Sequence, residues 1–311
     1  MDETDIAIIH RLLINSRVTY RELADEVNLT VSTVHKRVQS LVDQKIIDNF
    51  SVELGIEYLR AVQVHFFGTS PITEIEKIAG KLENDKNTSV LHIGSNDYIH
   101  VGGLLRDISE LDDYTGYIKE ETSIDIENMG LLSHSEYDED RLKLNKEKLP
   151  KIKLTRADKK IISSLHKDAR KTITDISEET NLSGKTVKRS IDKLIENKVL
   201  EFSIEWNPSY SRDIVPIIHI YLTEDADKKD VYKLLENSYS DKLIFNFMVH
   251  NLPSILFSFG LFKSLNEIEV LKNDLEGEQG IEYVKPNLIF SGNHFKTWRN
   301  QELENILKEI K

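Results

Sequence analysis

The chain has 311 residues, with 41 Lys and Arg against 53 Asp and Glu, and a formal net charge of −12. That length sets an expectation of two domains at about 150 residues each, with room for substantial hydrophobic cores. The 39% hydrophobic and 30% charged content reads as a folded soluble protein, and the absence of cysteine excludes disulfide scaffolds, thiolate metal sites and cysteine nucleophiles.

The chain opens on Met1-Asp2-Glu3-Thr4-Asp5, which is acidic and does not suit the basic start of a signal peptide. Asp5–Leu13 carries Ile6, Ile9, Leu12 and Leu13 at three- to four-residue spacing, predicting a helix with one buried stripe. Thr19–Val27 predicts a short second helix, Asn28-Leu29 the turn after it, and Thr30 the N-cap of a third helix, Val31–Asp43. In that helix Val34, Val38, Leu41 and Val42 form the core stripe, while Ser32, Thr33, His35, Lys36 and Gln39 face outward. Ile46–Val52 is β-prone and would make a small wing.

An alternating region follows. Arg60–Gly68 reads as a strand, Ile72–Leu82 as a helix opened by Pro71, and Ser89–Gly94 with Tyr98–Leu105 as a hairpin around Ser95-Asn96-Asp97. Ile108–Lys119 reads as a helix and Ser123–Leu132 as a final strand, giving the split, ferredoxin-like βαββαβ order. Such a sheet, with both helices on one face, leaves its other face to be covered, and a second sheet stacked on it would do so. Residues 133–152 form a charged stretch ending near Pro150 and read as a linker.

The chain then repeats itself. Sliding it by 153 positions aligns Asp5–Ile47 with Asp158–Leu200, and 13 of these 43 positions are identical without a gap. The second third helix, Gly184–Glu196, is capped by Ser183 and shows Val187, Ile191, Leu194 and Ile195 inward, with Lys185, Thr186, Lys188, Arg189 and Lys193 outward. Val199–Ile204 would be its wing. The ferredoxin-like order recurs as Ile214–Leu222, Asp230–Asn237, Leu243–Val249, Ser254–Phe262, Leu265–Leu275 and Ile281–Phe290, and a last helical segment spans His294–Lys311. No apolar run, Ile214–Leu222 included, reaches half the ~20 residues that span a bilayer, so a cytoplasmic protein with no membrane partner is expected.

The fold class expected is therefore α+β, with two copies of a winged helix-turn-helix plus a ferredoxin-like regulatory domain. The boundaries are 1–55 and 153–207 for the helical modules, 56–132 and 208–293 for the regulatory domains, 133–152 for the linker and 294–311 for the C-terminal helix. Short polar residues at the start of the third helix, followed by basic ones, suit a helix lying in a DNA major groove. The plain alternative is a structural bundle whose basic residues are only solvated. Local charge favours DNA: residues 30–45 hold three basic residues and one acidic, and residues 183–198 five basic and two acidic, in a chain that is acidic as a whole. Residues 1–55 hold six basic against nine acidic and residues 151–207 thirteen against nine, so the second copy is expected to bind more strongly. The DNA-facing candidates are Thr30, Ser32, Thr33, His35, Lys36, Arg37, Ser183, Lys185, Thr186, Lys188, Arg189 and Lys193.

This order of parts resembles the leucine-responsive/asparagine-regulator (Lrp/AsnC, feast/famine) family of transcription regulators. The matching residues are Asp5-Ile6-Ala7-Ile8-Ile9, Leu29 to Val38, Leu41–Ile47, and Gly94-Ser95-Asn96-Asp97-Tyr98. The resemblance covers nearly the whole chain, twice. It implies double-stranded DNA as a partner and a small effector such as an amino acid near Gly94, Asn96, Asp97 and Tyr98. It also implies an internal pseudo-dimer with scope for further homo-oligomerisation. No cofactor, metal or catalytic residue is expected. Two departures stand out. The family usually has Gly at the end of the recognition helix, where this chain has Lys45 and Lys198, so a left-handed cap is harder to form unless Asn197 supplies it. The second copy replaces the Gly/Asp turn with Asn251-Leu252-Pro253-Ser254, which makes an effector there doubtful.

Two rival readings stay open. Sirohaem decarboxylases resemble this architecture, and such a site would want His92, Tyr98, His100 and Arg106 to converge on tetrapyrrole carboxylates. A sensor that binds protein rather than DNA would use the acidic surface outside the helical modules. His65, His92 and His100 invite a metal site, but His92 and His100 are expected on opposite sides of a hairpin, and core-edge or interface positions fit them better.

Overall fold

A computed structural model describes residues 1–71, 75–133, 152–211, 213–249 and 251–309. Residues 134–151 of the expected linker, and the first three residues of the helix expected from Ile72, lie outside the described residues. The chain divides into two units: Met1–Leu59 with Lys148–Arg212 and Arg299–Lys311, and Arg60–Glu147 with Asp213–Trp298. No helix among the described residues is long and apolar enough to cross a membrane.

The first unit holds both helical modules. Copy one is α1 (Glu3–Ile14), α2 (Tyr20–Glu26) and α3 (Val31–Asp43), followed by β1 (Ile47–Leu54) and the short α4 (Ile56–Leu59). Copy two is α7 (Arg156–Lys167), α8 (Ile173–Thr180) and α9 (Gly184–Glu196), followed by β6 (Leu200–Trp206). The first two helices of each copy start on reciprocal capping boxes: Asp2 with Asp5, Thr19 with Glu22, Thr155 with Asp158 and Thr172 with Asp175. Each box satisfies backbone N–H groups that the first helical turn leaves orphaned. Val34, Val38 and Leu41 of α3 are buried against Ile8, Ile9, Leu12 and Leu23, and Val187, Ile191 and Leu194 of α9 against Ile161, Ile162, Leu165 and Ile176.

Both third helices end in the same way. Lys45 N–H donates to Val42 O and Ile46 N–H to Leu41 O; Lys198 N–H donates to Ile195 O and Val199 N–H to Leu194 O. These are Schellman caps, with Lys45 (φ 63°) and Lys198 (φ 55°) themselves left-handed. The expectation that lysine would hinder the cap, with Asn197 as substitute, is corrected: Asn197 has φ −93°. Buried Ile46 against Leu41, and Val199 against Leu194, close the caps from the apolar side and offset the strain on the lysines.

The two runs expected to form wings are strands, and each takes its partner from the other copy. β1 and β6 form no hairpin of their own; they pair with each other, antiparallel, in a two-stranded sheet. Ser51 faces Ser203 and Phe50 faces Ile204, and a shift of 153 positions exchanges these two pairs. The ladder is thus self-complementary, the register an isologous two-fold contact requires. The repeated arginines reinforce it. Arg17 donates to Ala169 O (2.5 Å) and Lys171 O (3.1 Å), and Arg170 donates to Ser16 O (2.8 Å) and Val18 O (3.2 Å). Arg170 also lies 4.5 Å from the Tyr20 ring centre. The last helix, α12 (Trp298–Lys308), puts Leu303 into the copy-two core, while Arg299 donates to Leu54 O and pairs with Glu53 and Glu201.

The second unit holds both regulatory domains. Copy one runs β2 (Val62–Thr69), α5 (Ile75–Leu82), β3 (Thr88–Gly94), β4 (Tyr98–Leu105), α6 (Leu111–Thr122) and β5 (Asp125–Ser133). Copy two runs β7 (Pro216–Leu222), α10 (Lys228–Ser238), β8 (Leu243–Val249), β9 (Ile255–Gly260), α11 (Leu265–Glu276) and β10 (Ile281–His294). Strand orders β3-β4-β2-β5 and β10-β7-β9-β8 are the ferredoxin-like arrangement twice. The two sheets do not simply stack: they join at their edges into a closed eight-stranded barrel. The reason is the length of β10. It continues four residues past the expected end at Phe290, and Ser291–His294 pair with Ile93–Val90 of β3. On the other edge Leu132 and Ser133 pair with Val249 and Met248. Asn251 extends that seam, accepting from Leu131 N–H and donating to Met129 O, both at 2.8 Å. Closure leaves no row of unpaired edge N–H and C=O groups. Alternate side chains then divide cleanly. Val64, Phe66, Leu91, Ile99 and Val101 pack under Ile78, Leu82, Tyr114 and Ile118 of the helices, and Phe67, Tyr98, Ile217, Val249, Ile255 and Phe257 fill the interior.

Candidate nucleic-acid interface

The third helices set out most of the candidate residues as the sequence suggests, with two exceptions. In α9, Lys185, Lys188 and Arg189 are exposed and Thr186 is half-buried. Ser183 caps the helix, accepting from Thr186 N–H at 3.2 Å. Lys188 pairs with Asp192 one turn on at 2.7 Å, whereas Lys185 and Arg189 have no ionic partner among the described residues. Lys193 turns inward, its Nζ 2.5 Å from the Asp158 carboxylate, which is 2% exposed and also receives the Ser190 hydroxyl. Burial pushes the Asp158 carboxyl up, yet the Lys193, Ser190 and Thr155 hydrogen bonds hold it below its ordinary value.

In α3, Ser32, His35 and Lys36 are exposed and Thr33 half-buried. Thr30 caps the helix, accepting from Thr33 N–H at 3.2 Å. His35 meets the Tyr20 ring edge-on at 5.0 Å between centres. Arg37 is committed elsewhere: it pairs with Asp2 and Asp5 of the α1 capping box, both at 2.8 Å, and those hydrogen bonds raise its pKa. The two copies therefore anchor the equivalent carboxylates, Asp5 and Asp158, with cations from different positions of the third helix. Nothing in the sequence pattern separates these two cations from the outward-facing ones.

The candidate effector turn is built from structural requirements. Asn96 (φ 55°) and Asp97 (φ 60°) are the left-handed central pair of a turn closed by Tyr98 N–H to Ser95 O at 3.2 Å. This is the type I′ geometry that matches strand twist in a tight hairpin. A side chain on Gly94 would come within 2.3 Å of Leu288 O in β10, so only glycine allows that strand approach. Asn96 and Asp97 are exposed; Tyr98 is 2% exposed and turns into the barrel, its hydroxyl 2.8 Å from His219 Nε2.

That barrel interior holds a polar group the sequence did not assemble. His92 and His100 are directly opposed in the β3–β4 ladder, so their rings share a face, which corrects the expectation of opposite sides. His65 Nδ1 lies 2.7 Å from His100 Nε2, and His100 Nδ1 lies 2.9 Å from His92 Nδ1. A neutral imidazole has one donor and one acceptor nitrogen, so this relay runs in one direction at a time. Burial, then the neighbouring His294, pushes His92 down to about 3; burial, then Lys285, pushes His219 down to about 3. His100 is depressed by burial and by the imidazoles around it. His219 Nδ1 has no hydrogen-bond partner among the described residues. Its only sequence signal was one polar position inside the apolar run Ile214–Leu222. Among the described residues no group of three or more His, Asp or Glu is placed to hold a metal ion. Arg106 lies over the Trp298 ring, 4.3 Å from its centre, while Tyr98 and His100 are buried and His92 is half-buried, so the four do not present themselves together at the surface.

Two three-helix modules, each with a capped and outward-facing third helix, linked through a self-complementary ladder, define a duplicated winged helix-turn-helix protein. Residues 1–42 match the AsnC-type helix-turn-helix domain and residues 154–201 the winged helix-turn-helix DNA-binding domain. The HTH-type transcriptional regulator LysM of Saccharolobus solfataricus is 31% identical over 100 residues, which is 32% of this chain and 68% of that protein. An uncharacterized HTH-type transcriptional regulator of Pyrococcus abyssi is 29% identical over 129 residues, 40% of this chain and 84% of its own length. The crystal structure of the siroheme decarboxylase NirDL superposes with a TM-score of 0.57 at 15% identity, covering 99% of this chain and 98% of that one, a likeness of fold. The chain belongs to the Lrp/AsnC family of DNA-binding transcription regulators.

Proposed function

We propose that this regulator reads duplex DNA with α3 and α9 as a dyad-related pair inside one polypeptide, α9 binding the more strongly. The observation that carries this reading is the set of cations on α9: Lys185 and Arg189 stand exposed without ionic partners among the described residues, and Lys188 beside them is held only by an exposed i,i+4 pair. Such pairs are worth only a few tenths of a kcal/mol and exchange readily for phosphate. The α3 face offers Lys36, with Arg37 already committed to Asp2 and Asp5. The test is retention on sheared genomic DNA across a salt series, with bound fragments sequenced. Log affinity should fall with log salt by about 0.9 per phosphate neutralised. No retention at low salt refutes the reading.

A small effector, such as an amino acid, would act through the exposed Asn96-Asp97 turn, with Tyr98 transmitting the contact to His219 inside the barrel. The check is a screen of amino acids for a change in DNA affinity that Asp97→Ala abolishes. A second reading, decarboxylation of an iron tetrapyrrole, is favoured by one observation, the cluster of imidazoles in the regulatory barrel. It requires an absorbance shift on adding the tetrapyrrole and release of CO2, and a protein that gives neither is not that enzyme.

A further inference from the structure

The two third helices are related by a dyad but carry unlike chemistry at the end that enters a groove. The dyad follows from the β1–β6 register, in which the pairs Ser51–Ser203 and Phe50–Ile204 exchange under the repeat shift. In a helix-turn-helix, the residues at the start of the second helix of the motif reach base edges. At equivalent positions α3 presents Val31, Ser32, His35 and Lys36, and α9 presents Gly184, Lys185, Lys188 and Arg189. Only the last position keeps its charge between the copies. Val31 is 46% exposed at the very start of α3, one of the few large apolar side chains left on the surface of the described residues.

We infer that the operator is an inverted repeat whose halves are chemically unlike, a guanine-bearing half under α9 and a thymine-bearing half under α3. This rests on the proposal that both helices read DNA. The major groove offers one apolar feature, the thymine C5-methyl, and Val31 with the short Ser32 beside it suits that contact. Guanine offers the O6 and N7 acceptors that Lys and Arg bind in preference to other bases, and Lys185 and Arg189 lie one turn apart on the same face. His35, held edge-on by Tyr20, fills the α3 position where α9 has the flexible Lys188. The duplication thus keeps the geometry of a palindrome reader while its two heads specify different bases.

The structure also supplies the means to exchange the code. A Cβ at Gly184 would meet only Ile173 Cγ2 at 3.6 Å, an ordinary contact, so the position has room for a side chain and Gly184→Val is the matching exchange. The experiment is selection from random duplexes at one salt concentration, with sequencing, for three proteins: the wild type, Val31→Ser, and the double variant Gly184→Val with Lys185→Ser. Each is first checked for unchanged circular dichroism. The wild type should yield inverted halves, one with a preferred guanine and one with a preferred thymine. Val31→Ser should weaken the thymine preference about fivefold in its own half and leave the guanine half intact. The double variant should convert the guanine half toward the thymine half. A wild-type motif with two equivalent halves overturns the inference while leaving the DNA-reading proposal standing, and so does a guanine half untouched by the double variant. Absence of any enriched, salt-sensitive motif overturns both. The wild-type motif decides the matter even where a variant fails to fold.

Discussion

Three neutral imidazoles lining one barrel, two buried and one half-buried, make its stability depend on acid in a calculable way. His92, His100 and His219 titrate at an ordinary 6.5 in the unfolded chain and well below it in the fold, two of them near 3, because burial disfavours the charged ring. A depressed folded pKa means that stability is complete above the unfolded value and declines as pH falls beneath it. At pH 5 His92 and His219 then cost about 2 kcal/mol each, about 4 kcal/mol together, a slope of about 2.7 kcal/mol per pH unit, and His100 adds in the same direction. That is a large share of the 5–15 kcal/mol typical of a domain. Carboxylates held below their ordinary values, Asp158 and Glu276 among them, act only in a lower window, beneath about pH 4. Hydrogen exchange followed peptide by peptide, corrected for intrinsic rates, separates the units. Strands β4, β7 and β9 should lose protection between about pH 7 and 5, while β1 and β6 keep theirs. The variant His219→Phe should reduce the barrel's slope by about 1.4 kcal/mol per pH unit. A barrel whose protection stays flat to pH 5 refutes the claim that these imidazoles are neutral and desolvated.

Four further outcomes are expected. Lys45→Gly should stabilise the helix-turn-helix unit by about 0.5–1 kcal/mol in urea unfolding, since glycine occupies the left-handed cap without a Cβ penalty; a loss of stability would contradict the cap. Lys188→Ala should lower the salt slope of DNA binding by about 0.9, because its exposed pair with Asp192 gives way to phosphate, whereas Arg37→Ala should leave it unchanged because its charge is spent on Asp2 and Asp5. Arg170→Ala should destabilise the same unit by about 2 kcal/mol, from two charge-assisted hydrogen bonds and the Tyr20 contact, measured by the urea midpoint. Asp158→Ala removes a cap and leaves Lys193 and Ser190 without their acceptor, and should cost about 2–3 kcal/mol in the same assay.

What could be read from the chain in advance was what short-range chemistry determines. The bounds of α3 and α9 were legible because Thr30 and Ser183 are good caps and because the valine, isoleucine and leucine spacing runs unbroken to the last turn. The end conformations at Lys45 and Lys198 were not, since residue preference argues for glycine and the compensating contact, Ile46 on Leu41, is tertiary. The runs after each third helix read correctly as strands, yet their partners lie about 150 positions away, and no local signal says that β1 pairs with β6. Barrel closure was hidden for the same reason: Ser291, Gly292 and Asn293 look like loop residues until β3 lies beside them. At the site, exposed cations were visible in the pattern, but the commitment of Arg37 and Lys193 to carboxylates on other helices was not. The histidine relay was masked because a polar residue on a strand reads equally well as solvent-facing, and only the closed interior reverses that reading.

The self-complementary ladder between β1 and β6 changes how the protein responds to its own abundance. Two separate subunits must meet before a two-headed reader exists, so its concentration rises with the square of the chain at low expression and it falls apart on dilution. Here the heads are joined covalently and the second finds the first at an effective concentration that dilution does not alter. If both heads read DNA as proposed, occupancy of an operator by one chain rises in simple proportion to the number of molecules, with no threshold from subunit association. The same linkage removes the rule that every mutation in a homodimer strikes both halves at once, so the two halves are free to differ, as they do at Asp5 and Asp158.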